Sequence, residues 1–412
     1  PYRLVDMFVR GSIGEAFTFT FLPLVLYGVV LCFKKTTTKA VISIAVGTAG
    51  LIISHLALGS VFLATAMLFV LVFIPKIKKS IVVFSSMGLG LGLSAYYWLP
   101  AFLEHKYTYG SYFAKDLYNS HFVPFFNFFT PNFFNSPTLR TGDVPIQIGL
   151  FHMLAIIVSI WVLLKIKQIK TKEKKLILFC LLILLVALFI MQPISKFIWQ
   201  TVPLFEQFQF PWRFLGLVGL ATSLLAFCLY KIKFVQKKSM YILLLVLVVA
   251  TNVYYWYPQL GFQKVKEIYY WNYQLDNPYF GETNLIWSAG PASSFPKKRV
   301  EVIRGSASVS NIKEKSNLHT YVVNAKKKSV IIDHTQFFPG WKVAVDNHPV
   351  PIQFQDPSYR GQIVFSVSEG KHKVKVWFTE TKIRFVANAI SVASLLIFFF
   401  LIFFNKLRGR GK

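Results

Sequence analysis

The chain has 412 residues, 54% of them hydrophobic and 17% aromatic, and carries a formal net charge of +28 from 45 Lys and Arg against 17 Asp and Glu. That composition excludes an ordinary soluble globular domain. The positive charge sits mainly in short runs between apolar segments, so orientation in a membrane accounts for it better than nucleic acid does, and no nucleic-acid partner is expected.

The first fifteen residues, PYRLVDMFVRGSIGE, are charged yet run straight into an apolar segment. On a helix turning about 100° per residue, Arg3, Asp6 and Arg10 fall within about 60° of one another. Asp6 and Arg10 stand i,i+4 and can pair. Leu4, Val5, Phe8 and Val9 fill the rest of the surface, so the stretch reads as a short helix at a membrane surface. Its arginines either meet an anion there or anchor the helix end among headgroups. The chain starts at Pro1 rather than Met, and no signal peptide precedes the first span. The expectation is that spans upstream have been lost.

Apolar runs able to span a bilayer need about 20 residues. They fall at 15–33, 40–55, 58–74, 81–101, 146–164, 175–191, 212–230, 239–256 and 384–404, giving nine expected spans. Basic clusters follow every odd-numbered span: Lys34 to Lys39, Lys76 to Lys79, Lys165 to Lys175, Lys231 to Lys238 and Lys406 to Lys412. The positive-inside rule then makes these clusters cytoplasmic and the start of the chain outside. Two outside loops follow from this. Residues 102–145 carry many Phe together with Glu104, His105, Arg140 and Asp143, and residues 192–211 lead into Trp212 and Arg213. Such aromatic density suits a segment half-immersed at the interface.

Residues 257–382 change character. KRVEVIR, LHTYVVNA, KSVIIDH, WKVAVD, GQIVFSV and KHKVKVWF alternate with period two and are rich in β-branched residues, as half-buried strands are. Asp346-Asn347-His348 signals a turn. The expected fold is a polytopic α-helical membrane protein with an extracytoplasmic antiparallel β-sandwich near its C-terminus. The expected division is 1–256 transmembrane, 257–382 β-rich, and 383–412 a last span with a basic cytoplasmic tail.

Motifs for soluble catalysis are absent: there is no GxGxxG after a strand, no P-loop, no HExxH and no GxSxG. The eight His lack metal-ligand spacing, and Cys32, Cys180 and Cys228 lie singly in apolar runs. His55 reads as a helix-end residue. Arg213, after FPW at the outer end of the seventh span, is costly there unless it snorkels or meets a phosphate, and both readings stand. Glu104, in WLPAFLEH, reads first as a solvated loop residue, with a base or a ligand-orienting group as alternatives. Lys326, Lys327 and Lys328 read as a hairpin tip, and PGW at 339–341 as a turn with a packed Trp341.

PYRLVDMFVRGSIGEAFTFTFLPL, YYWLPAFLEHKYT, PIQIG, FQFPWRF and FFPGWKVAVDNHPVP…GQIVFSVSEGKHKVKVWF together resemble a bacterial membrane family labelled 6-pyruvoyl-tetrahydropterin synthase-related, with YfhO-type neighbours. The family is similar to GT-C glycosyltransferases, and the likeness runs along nearly the whole chain. It implies a multi-pass protein of the bacterial plasma membrane. Its activity would be transfer of sugar from a polyprenyl-phosphate donor at the outer face, for envelope glycan or glycolipid modification. The matching positions give Arg3, Arg10 and Arg213 as cations for the phosphate, with Glu15 and His105 in the substrate-binding set. Asp6 and Glu104 are the candidate catalytic carboxylates, although the i,i+4 spacing assigns Asp6 to holding Arg10. A divalent metal is the open alternative for stabilising the leaving phosphate. One departure matters: GT-C enzymes usually carry their catalytic carboxylate in the first outside loop, and the expectation is that this chain begins later than that, as a transferase whose base has been cut away or one that never had it. The rival readings are a non-enzymatic scaffold or lipid-linked glycan binder, and a transporter, which the scarcity of mid-membrane charge disfavours.

Overall fold

The computed structural model describes residues 2–130, 146–166, 168–256, 262, 264–271, 283–288 and 296–410. Phe133, Phe134, Arg140 and Asp143 of the first loop, much of the 257–297 loop and Lys412 lie outside the described residues, as do the side chains of Lys406, Arg408 and Arg410. The chain forms two compact units. The first comprises residues 1–94, 114–264 and 392–412, and the second 95–113 and 265–391. Their boundary differs from the expected one, because 95–113 groups with the β-strand region.

The first unit is helical. Its apolar helices are α1 Ile13–Lys34, α2 Thr38–Ser54, α3 Leu56–Phe73 and α4 Ile77–Leu93. After α5, Ala95–Glu104, which belongs to the second unit, come α6 Leu150–Lys165, α7 Thr171–Ile190, α8 Leu215–Leu225 and α9 Lys238–Val253. Among the described residues, four helical stretches are long and apolar enough to cross a membrane: α1, α3, Pro211–Lys231 around α8, and Lys382–Phe403 of the last helix. Two broken helix pairs, one beginning at α4 and one at α7, raise the number to six. Helices α2, α6 and α9 are apolar but shorter.

Small residues set the packing of α1 on α2. A Cβ on Gly28 would lie 2.6 Å from Ile44 and 2.8 Å from the Ala40 carbonyl, so only glycine lets the two backbones approach this closely. The ends are satisfied locally. Thr37 caps α2 by accepting from Ala40 N–H at 3.2 Å, and His55 Nδ1 caps α3 by accepting from Leu58 N–H at 3.1 Å. His55 is thus the helix-end residue its position suggests.

In the second unit, β1 Val300–Arg304, β4 Ser329–Gln336 and β7 Gln362–Val367 form one antiparallel sheet in the order β1-β4-β7. The second sheet runs β2-β3-β8-β5-β6, with β2 Ala307–Lys315, β3 Leu318–Ala325, β5 Trp341–Val345, β6 His348–Val350 and β8 Gly370–Phe378. Tyr321, Val323, Val343, Val374 and Val376 from the larger sheet share one buried core with Ile331, Ile363, Phe365 and Val367 from the smaller. Two sheets closing on one core is sandwich packing. Asp346 and Asn347 join β5 to β6 with φ of 49° and 66°, the left-handed pair a two-residue hairpin turn demands. Lys326, Lys327 and Lys328 are exposed at the β3–β4 turn. Trp341 is half-buried rather than enclosed, its ring edge-on to Phe378 at 5.5 Å, because it opens strand β5 at the margin of the core. The last helix, α10 Lys382–Arg410, follows the sandwich.

Candidate functional site

The opening stretch folds as helical turns over Tyr2–Leu4 and Val5–Val9, then reverses at Gly11, whose φ of +69° suits glycine. That reversal brings Arg10 back onto Glu15 in the first turn of α1. Arg10 Nη1 donates to Asp6 Oδ1 at 2.7 Å and to Glu15 Oε1 at 2.8 Å. The 3₁₀ turn Pro211–Phe214 presents Arg213, whose Nε and Nη2 each lie 2.9 Å from the same Glu15 oxygen. Arg213 Nη1 donates to the Phe208 carbonyl at 2.5 Å and to Gln209 Oε1 at 3.2 Å. Tyr2 Oη donates to Glu15 Oε2 at 3.2 Å, and His55 Nε2 lies 3.6 Å from Oε1.

Aromatic faces close the cluster. Arg10 stands 4.5 Å from the Trp212 ring centroid, and Arg213 stands 5.0 Å from that of Phe210. Glu15 and Asp6 are fully buried. Two guanidiniums against two carboxylates make this core formally neutral, the condition under which such burial is tolerated. Burial, joined by the charge of Glu15, raises the Asp6 pKa to about 7 against the pull of Arg10. Its Oδ2 is buried without a hydrogen-bond partner.

Arg3 differs. It is exposed, sits 5.9 Å from the Phe19 ring centroid, and among the described residues faces no carboxylate within ion-pair distance. It borders a cavity of about 330 Å³ with Tyr2, Phe19, Pro23, Gln147 and His152. A second, mostly apolar cavity of about 360 Å³ lies among α6, α8 and α9 and shares Gln147, His152 and Ser223 with the first. His152 Nδ1 lies 2.6 Å from Thr222 Oγ1, and Gln147 donates to the Tyr255 hydroxyl.

Glu104 belongs to the second unit, and the solvated reading of it is corrected. It is 5% exposed; its oxygens accept from Thr381 Oγ1 at 2.5 Å and Arg384 Nε at 2.9 Å. Arg384 is in turn held over Phe338 and Phe378, so Glu104 is tied to the start of α10. His105 follows in a 3₁₀ turn, where its carbonyl accepts from Thr108 Oγ1 at 2.9 Å. The structure therefore gathers Asp6, Arg10, Glu15 and Arg213 in one cluster, sets Arg3 at the cavity beside Tyr2, and carries Glu104 and His105 in the other unit.

Sequence reasoning missed Tyr2, His152, Thr222 and Tyr255. His152 and Thr222 are single polar groups in apolar runs, which periodicity cannot distinguish from filler, while Tyr2 and Tyr255 lie among other polar or aromatic residues and read as interface aromatics. Gln147 had a signal, since it lies in the PIQIG stretch. Among the described residues no group of three or more His, Cys, Asp or Glu is arranged to hold a metal ion.

A family model described as the 6-pyruvoyl-tetrahydropterin synthase related domain, a membrane protein, matches residues 1–262. Neither the curated proteins nor the solved structures give a significant match. The matched stretch covers more than half of the chain and holds the Glu15 cluster and both cavities, and the chain belongs to this 6-pyruvoyl-tetrahydropterin synthase related family of membrane proteins.

Proposed function

We propose that the protein is a GT-C-type membrane glycosyltransferase, using a polyprenyl-phosphate-linked sugar at the outer face of the plasma membrane. One observation carries the reading: the exposed Arg3 guanidinium borders a cavity that adjoins a second, apolar one between helices. A lipid phosphate has those two needs, a cation at headgroup depth and an apolar groove for its chain. Guanidinium suits the first because it donates in a fixed fork and is less costly to desolvate than ammonium. In this proposal Arg10, Arg213 and Glu15 form the floor that holds the opening stretch in place, and Arg3 meets the phosphate. Nine spans, an outside β domain and cytoplasmic basic loops complete the reading, supported by the Lys and Arg alternation.

In the transfer step the acceptor oxygen bonds to the anomeric carbon as the carbon–oxygen bond to phosphate breaks. The bonding pair leaves with the polyprenyl phosphate, and the acceptor proton passes to a carboxylate base. Asp6, with its raised pKa and unpartnered Oδ2, is this chain's candidate base. A second reading, a lipid-linked glycan binder without transfer, is favoured by a different observation: Glu15 and Glu104 are both locked by arginine, and Asp6 is fully buried. The test is the full-length protein in liposomes with a panel of polyprenyl-phosphate sugars. Transfer that Asp6→Asn abolishes supports the enzyme. Donor-lipid binding without transfer to any acceptor supports the binder.

A further inference from the structure

The sandwich contains a polar pair at positions its strand pattern reserves for core. On β3, His319, Tyr321, Val323 and Ala325 alternate inward; on β4, Ser329, Ile331 and Asp333 do. His319 is 3% exposed and Asp333 is fully buried, and they bridge the two sheets with Nδ1 and Oδ2 2.9 Å apart. Asp333 Oδ1 accepts from Thr335 Oγ1 at 2.6 Å. A pair of apolar side chains would fill this position without the cost of burying polar groups.

His319 of this pair borders a cavity of about 280 Å³, lined also by Arg299, Glu314, Lys315, Ser316 and Thr335. Its lining is polar, and its volume lies at the small end of ligand sites. With Nδ1 hydrogen-bonded to Asp333, Nε2 is the ring nitrogen left for a ligand. Arg299, which lines the cavity, is braced by Nε on Glu314 at 2.9 Å and Nη1 on the His334 carbonyl at 3.0 Å. Lys315 adds a second cation, and Glu314, already paired with Arg299, offsets one of the two charges.

We propose that this cavity binds a small saccharide bearing a carboxylate or phosphate. The oxyanion lies against Arg299 and Lys315, and a neighbouring ligand hydroxyl donates to His319 Nε2. The braced guanidinium is already ordered, so little rotamer entropy is lost on binding. The proposal stands apart from the lipid-carrier reading, because it uses only the β-strand unit and requires no transfer.

The experiment is saturation-transfer NMR and calorimetry on the full-length protein in detergent, with glucuronate, glucose 6-phosphate, glucose and inorganic phosphate as probes. Glucuronate or glucose 6-phosphate should bind at least about tenfold more tightly than glucose, since a charge-assisted contact is worth about that factor or more. Arg299→Gln and Lys315→Ala, both near the surface, should each weaken the charged sugar about tenfold without shifting the thermal midpoint. His319→Gln should weaken the charged sugars and leave inorganic phosphate unchanged. Phosphate binding as tightly as glucose 6-phosphate would identify an adventitious ion site and overturn the proposal. So would charged-sugar affinity unchanged in both Arg299→Gln and Lys315→Ala, or no binding of either charged sugar.

Discussion

At the scale of residues, the three arginines of the site are separated by what already faces them. Arg213 gives Nε, Nη1 and Nη2 to protein acceptors, and Arg10 is shared between two carboxylates. Neither can take a phosphate without surrendering a buried pair. Glu15→Gln leaves two buried guanidiniums against Asp6 alone, and should lower unfolding stability by about 3–5 kcal/mol, the cost of breaking a buried ion pair from one side. Denaturant titration in detergent measures this; a loss under about 1 kcal/mol would mean the cluster is hydrated. Arg3→Ala, by contrast, should change stability by no more than about 0.5 kcal/mol, since it removes an exposed side chain with no ion pair among the described residues. The Asp6–Arg10 pair was legible because i,i+4 spacing is local. The Arg213–Glu15 bond was not, because it joins positions 198 residues apart and is made by folding.

At the scale of elements, periodicity found most of the scaffold. Apolar helices lie at each of the nine expected runs among the described residues, and six strands lie where alternation placed them. Strand β2 escaped because ASVSNIKEK is nearly all polar and exposed; it is a sheet-edge strand, and its register shifts between Ser310 and Lys313. One tertiary device of the sandwich is pH-sensitive. Asp346, in the β5–β6 turn, accepts from Lys373 N–H at 2.7 Å through Oδ1, and its Oδ2 lies 2.7 Å from His372 Nδ1. The hydrogen bond to Asp346 raises the His372 pKa above 6.5, and the same bond lowers that of Asp346 below 3.8. The His372 contribution is complete below pH 6.5 and is lost as pH rises through its folded value. That of Asp346 is present above pH 3.8 and is lost as pH falls through its own. Hydrogen-exchange protection of amides 346–348 and 370–373 should therefore be greatest between these limits and decline above pH 6.5. His372→Gln should abolish that decline; an unchanged decline in the variant would assign it to another group.

At the scale of the whole molecule, the proposed orientation rests on the alternation of Lys and Arg clusters rather than on composition. Cys32, Cys180 and Cys228 are all buried, so a new surface thiol is read against a quiet background. Cysteine placed at exposed Ser120 or Ser316 should react with an impermeant maleimide in intact cells. Protection of both until the cells are permeabilised would invert the topology. The proposed lipid-phosphate site rests on Arg3 and the paired cavities, which no single stretch of sequence displays, because residues 2–3, 147–152 and 215–255 meet only in the folded bundle. The most direct test is the affinity of the full-length protein in nanodiscs for a polyprenyl phosphate, compared with Arg3→Ala at equal thermal midpoint. If Arg3 meets the phosphate, the substitution weakens binding about tenfold or more, the value of one charge-assisted phosphate contact. Equal affinity in the two proteins would contradict it.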